Sequence, residues 1–90
     1  MAKLWPRIQR YRIKFDMYAF VKGKRFTFKH FIEVTNKVTL FLAEVTIENY
    51  INNPHARPVF MFRRQIAKVF PQESIKINFE NVRLSPLYDL

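Results

Sequence analysis

The chain has no cysteine. Disulfides and thiolate metal sites are therefore excluded, and a reducing, intracellular setting (cytoplasm, organellar matrix or host cell) is expected rather than secretion. There is no run of about 18 apolar residues to suggest a spanning helix, and the N-terminus lacks the apolar core of a secretory signal. Integral membrane insertion is not expected. Acids are scarce: seven Asp and Glu stand against 16 Lys and Arg, giving a net charge of +9, and no acid precedes Asp16. An Arg-rich, acid-free start is also what a mitochondrial presequence has, yet the first strand pattern begins at Tyr11 and leaves little to cleave. Gly23 is the only glycine, so a Gly-rich phosphate loop is ruled out as well. No internal repeat or low-complexity linker is present.

What is present is apolar and basic. Hydrophobic residues make up 49% of the chain, with ten Phe among its 90 residues. That suits one packed domain, with roughly 60–65% of the unfolded chain's surface available for burial. The expected organisation is a basic arm over 1–10, one globular domain over 11–85 and a tail over 86–90. An excess of cations attracts polyanions. Nucleic acid is the first partner expected from it, an anionic membrane surface the second.

The register of the first hairpin can be worked out from the residues. With Lys22-Gly23 as a two-residue turn, Ala19–Phe26, Met17–Phe28, Phe15–His30, Ile13–Ile32 and Tyr11–Val34 face one another on one apolar face. The opposite face sets Asp16 against Lys29 and Arg12 against Glu33, pairs worth only roughly 0.2–1 kcal/mol each but diagnostic of register. A second turn at Asn36-Lys37 extends the same pattern, with Ile32–Phe41, His30–Ala43, Phe28–Val45 and Phe26–Ile47 inside. Lys29–Glu44, Arg25–Glu48 and Thr27–Thr46 then lie outside. A rival reading makes 37–52 a helix capped by Asn36, with Leu40, Ala43, Ile47 and Ile51 as its stripe. The β-branched Val38, Thr39, Val45, Thr46 and Ile47 favour the strand.

Further along, Asn52-Asn53-Pro54 breaks the chain. Pro58 suits the first position of a helix whose stripe is Val59, Phe62, Ile66 and Phe70, and Pro71 stops it. Ile75, Ile77 and Phe79 alternate as a strand. Val82 and Leu84 continue in the opposite phase, which requires a bulge or bend at Glu80-Asn81, and Pro86 is expected to end pairing. The fold class is thus α+β and β-rich: a three-stranded antiparallel meander, one helix, then one or two C-terminal strands. Two architectures fit, a small OB-like barrel or an open sheet with one packed helix.

The two histidines fall on the apolar face (His30) and in a loop (His55), and no carboxylate pair lies outside the expected ion pairs. No nucleophile, base, metal or cofactor site is therefore expected, and the chain reads as no enzyme. His30 reads as a core-edge histidine held by a hydrogen bond. The outer face of the meander interleaves Arg10, Arg12, Lys14 and Arg25 with Tyr18, Phe20 and Phe31, the combination that single strands of DNA or RNA require: cations for phosphates, rings for bases. Leu40 and Leu42 fall on that face too, so a covering helix would bury it instead. A second basic surface comprises Arg63, Arg64 and Lys68 on the helix, with Lys22 and Lys24 at the hairpin tip. The arm Lys3-Leu4-Trp5-Pro6-Arg7 adds an indole that either stacks on a base or caps the core.

The segments Gly23-Lys24-Arg25-Phe26-Thr27-Phe28 and Asn81-Val82-Arg83-Leu84-Ser85-Pro86 look like parts of the small single-stranded-DNA-binding proteins of filamentous phages. The helix expected after the third strand departs from that all-β family, and no residue role is carried over. Two functions follow as expectations. One is a nucleic-acid-binding protein using Arg10, Arg12, Lys14, Tyr18, Phe20, Lys22, Lys24, Arg25, Arg63 and Arg64. The other is a structural subunit of a large assembly (ribosomal or organellar ribosomal protein, ribonucleoprotein or small phage component), with protein partners or copies of itself.

Overall fold

A computed structural model describes residues 7–35 and 39–89, with side chains described for 10–35 and 39–86. The expected roles of Trp5 and of the Asn36-Lys37 turn lie outside the described residues. The element order is β1 (Arg7–Val21), β2 (Lys24–Val34), α1 (Leu40–Ile51), α2 (Arg57–Val69) and β3 (Asn78–Asp89). The strands form one open antiparallel sheet in the order β2-β1-β3, with β1 at the centre. The sheet is not closed, so the barrel alternative is set aside.

The first hairpin follows the expected register, from Tyr11 opposite Val34 to Ala19 opposite Phe26, with Arg12 opposite Glu33 and Asp16 opposite Lys29. Its turn is Lys22-Gly23 with φ of +52° and +77°. Positive φ at both central residues is the type I′ geometry, whose twist matches that of the flanking strands.

The third strand of the meander is overturned. Residues 40–51 form α1, and none of the pairs expected from the Asn36-Lys37 turn exists. Thr39, rather than Asn36, is the cap: its hydroxyl accepts the Leu42 amide at 3.2 Å. Ala43, Ile47 and Ile51 are buried at helical spacing. The Thr46 hydroxyl donates to the Leu42 carbonyl at 2.7 Å, so this β-branched polar residue is satisfied within the helix. Strand propensity here amounts to tenths of a kcal/mol per residue. The buried stripe outweighs it, since helices in proteins are held mostly by tertiary packing of one face.

The place left for a third strand is taken from the far end of the chain. β3 pairs along β1, with Met17 opposite Phe79 and Ile13 opposite Leu84. The bulge falls where the phase change requires it: Asp16 faces Glu80 while Lys14 faces Arg83, leaving one extra residue on β3. Asn81 takes it up with φ of +56°. Two expectations fail on this strand. Ile75 and Ile77 precede it, and Pro86 does not end pairing but sits opposite Tyr11, with the ladder continuing to Arg7 opposite Asp89. An edge strand tolerates the missing amide of a proline. Arg7, Ile8 and Arg10 thus stand opposite Asp89, Tyr88 and Leu87, so β1 and β3 extend into the segments expected as arm and tail.

Both helices cover the odd-numbered face of β1. Ile13, Phe15, Met17, Ala19 and Val21 pack with Ala43, Ile47, Ile51, Ala56, Val59, Phe62, Ile66 and Ile77. Phe62 stacks on Phe28 (5.7 Å between centroids) and Phe70 meets Phe26 edge-on. The helix expected from Pro58 is thus present as α2, with Val59, Phe62 and Ile66 buried as expected.

Candidate functional site

With the helices on one side, alternation alone decides what the other side presents. From β1 it is Arg10, Arg12, Lys14, Asp16, Tyr18 and Phe20. β2 adds Arg25, Thr27, Lys29, Phe31 and Glu33, and β3 adds Asn78, Glu80, Arg83 and Ser85. Neither Leu40 nor Leu42 lies here, because both belong to α1.

The face is organised as two arginine–aromatic stacks with lysines between. At one end Arg10 and Arg12 hold the two oxygens of Glu33 at 2.9 and 3.1 Å, and the Arg12 guanidinium lies 4.4 Å over the Phe31 ring. At the other end Arg25 pairs with Glu80 at 2.8 Å. Its guanidinium lies 4.5 Å from the Tyr18 centroid and 5.4 Å from that of Phe20, while the two rings meet edge-on. Phe20 is 61% exposed and Phe31 45%. Asp16 does not pair with Lys29. The Asn81 amide donates to it at 2.9 Å and Arg83 approaches at 3.7 Å. Lys14 and Lys29 have no carboxylate at ion-pair distance among the described residues.

Of the residues expected to act, Arg10, Arg12, Lys14, Tyr18, Phe20 and Arg25 come together on this face. Lys22 and Lys24 stand at the hairpin tip, where Lys22 reaches Glu73 at 3.1 Å and Lys24 lies over Phe26. Arg63 and Arg64 are on α2, in the helical layer. Arg63 is half-buried and donates to the Ile75 carbonyl, bracing the segment that leads into β3. Lys29 and Arg83 are the cations that sequence reasoning missed. Lys29 is expected opposite Asp16 as an ion-pair partner, and Arg83 reaches the face only through the pairing of β1 with β3, a long-range contact that no local pattern encodes.

His30 lies on the inner face, as expected of a core-edge histidine. Its Nε2 is 3.0 Å from the Tyr50 hydroxyl, and its ring stacks on Tyr50 and Phe28. Burial lowers its pKa from the usual 6.5 and raises that of Tyr50 from the usual 10.0. A cleft of about 440 Å³ opens between the helices and the segment before β3, lined in part by Glu48, Asn52, Arg63, Lys76 and Phe79. Among the described residues no group of three or more His, Asp or Glu is placed to hold a metal, and no helix is long and apolar enough to cross a membrane. No protein-family description, curated protein or solved structure matches this chain.

Proposed function

We propose that this chain is a non-enzymatic nucleic-acid-binding protein that lays single-stranded DNA or RNA across the outer face of its sheet. The observation that carries this reading is the one-sided placement of the helices, which leaves that basic, aromatic face uncovered by the described residues. Lys14 and Lys29 neutralise phosphates in the middle of the face. Arg12 and Arg25, already stacked on rings, offer outward donors to phosphate oxygens on either side. Phe20, Phe31 and Tyr18 supply stacking surfaces, worth roughly 1–3 kcal/mol per base. Lys22 and Lys24 extend the positive field beyond the sheet, while Arg63 is reserved for the fold and Arg64 contributes only at a distance. Mixed-sequence binding is expected, since contacts to phosphates and base faces carry little sequence information.

The test is fluorescence anisotropy with a mixed-sequence single-stranded oligonucleotide, competed by duplex DNA and by RNA at two salt concentrations. Saturable binding that weakens steeply with salt is expected, and Phe20→Ala should weaken it by roughly 1–3 kcal/mol. Absence of binding at low salt overturns the reading. A structural place in a larger assembly is the second reading, favoured by one observation: Phe41, Leu42, Phe60 and Met61 stand exposed on the helical layer, and contiguous exposed apolar surface marks contact sites.

A further inference from the structure

The helical layer has a division of charge that the sheet face does not explain. α1 carries Glu44 and Glu48 and no base, whereas α2 carries Arg57, Arg63, Arg64 and Lys68 and no acid. Each helix also holds apolar side chains that the sheet leaves uncovered. On α1 these are Phe41, 70% exposed, Leu42 and Val45; on α2 they are Phe60 and Met61. Helical spacing puts Arg57, Arg64 and Lys68 on the side of α2 away from its buried stripe, beside Phe60 and Met61. On α1 it puts Val45 and Leu42 away from Ala43 and Ile47, with Phe41 and Glu48 along one flank. One molecule thus displays an acidic apolar strip next to a basic apolar strip.

We infer that a second copy of this chain covers the layer, related by a two-fold axis that sets α1 of each molecule against α2 of the other. A two-fold interface uses one patch twice. In this orientation both acidic strips meet basic ones, and the exposed Phe41, Leu42, Phe60 and Met61 are buried between the two copies. Pairing like helices fails on charge: α1 against α1 opposes carboxylates, and α2 against α2 opposes guanidiniums. Arg63 takes no part, since it is tied to the Ile75 carbonyl. The two outer sheet faces then point away from each other, so the pairing stands independently of the nucleic-acid reading.

Sedimentation equilibrium of the full chain without nucleic acid, over a wide concentration range, tests it. A monomer–dimer equilibrium is expected. Phe41→Gln, at a side chain that is mostly exposed and so tolerant of change, should leave the circular dichroism spectrum intact and weaken the dimer by removing its apolar contact without adding charge. Glu44→Lys with Glu48→Lys should weaken the dimer at least about tenfold, and adding Arg64→Glu with Lys68→Glu to the same chain should restore it. A chain that stays monomeric at every concentration overturns the inference. So does a dimer indifferent to Phe41→Gln, or one that the second charge reversal fails to restore.

Discussion

His30 is where a single ionisable group bears on the fold. Its ring is stacked between Phe28 and Tyr50 and bonded to the Tyr50 hydroxyl, and burial lowers its pKa below the usual 6.5. The neutral ring is therefore favoured in the folded chain. As pH falls below about 6.5 the unfolded chain takes up the proton first, and stability declines until the folded-state pKa is passed. Above the usual value the contribution is fully present. Urea unfolding at about pH 7.5 and about pH 5 should show a lower midpoint in acid. His30→Gln, which keeps a polar group near Tyr50 but cannot titrate, should show a smaller drop. Equal drops in the two proteins would mean that the acid sensitivity arises elsewhere, for instance in the growing net positive charge.

At the scale of elements, the first turn is the most local device in the chain. Lys22 sits at φ of +52° beside Gly23 at +77°, although a non-glycine residue in the left-handed region costs roughly 1–2 kcal/mol and asparagine tolerates it better. Lys22→Asn should stabilise the hairpin by about 0.5–1 kcal/mol and raise the Tm by roughly 2–8 °C in thermal unfolding. The ion pair with Glu73 that it removes is largely exposed and worth little. An unchanged or lower Tm would show that Lys22 contributes more through Glu73 than its geometry costs. This hairpin was legible from sequence because turn chemistry, alternation and cross-strand charge all point to one register. α2 was legible from Pro58 and a clean 3.6 spacing, and the bulge from a phase change between Phe79 and Val82. α1 was not. Its apolar residues satisfy both periods, and its β-branched content favours the wrong one. The long-range choice of β3 as the third strand then decides what 40–51 must cover. Arg10, Arg12, Lys14, Tyr18, Phe20 and Arg25 share one face because the register of β1 with β2 is the expected one. Leu40, Leu42, Glu44 and Glu48, expected on that face, lie instead on α1, and Arg83 with Glu80 joins it from β3.

At the scale of the molecule, the net charge of +9 sets up a field that attracts any polyanion to every surface, so affinity alone cannot locate a binding face. The salt dependence can, because it counts phosphates displaced at the contact rather than charge at a distance. Lys14 and Lys29 are the cations of the outer face without a carboxylate at ion-pair distance among the described residues. Arg64 and Lys68 carry the same charge on the opposite layer. Replacing Lys14 and Lys29 by Gln should reduce the slope of log affinity against log salt for a single strand by about 1.4, at roughly 0.7 per phosphate contact. The same change at Arg64 and Lys68 lowers net charge equally but should leave the slope nearly unaltered, with only a modest loss of affinity at low salt. Anisotropy titrations over several salt concentrations measure both slopes. Equal reductions from the two pairs would mean a diffuse electrostatic attraction with no dedicated face. A larger reduction from Arg64 and Lys68 would move the interface to the helical layer and set it in competition with self-association there.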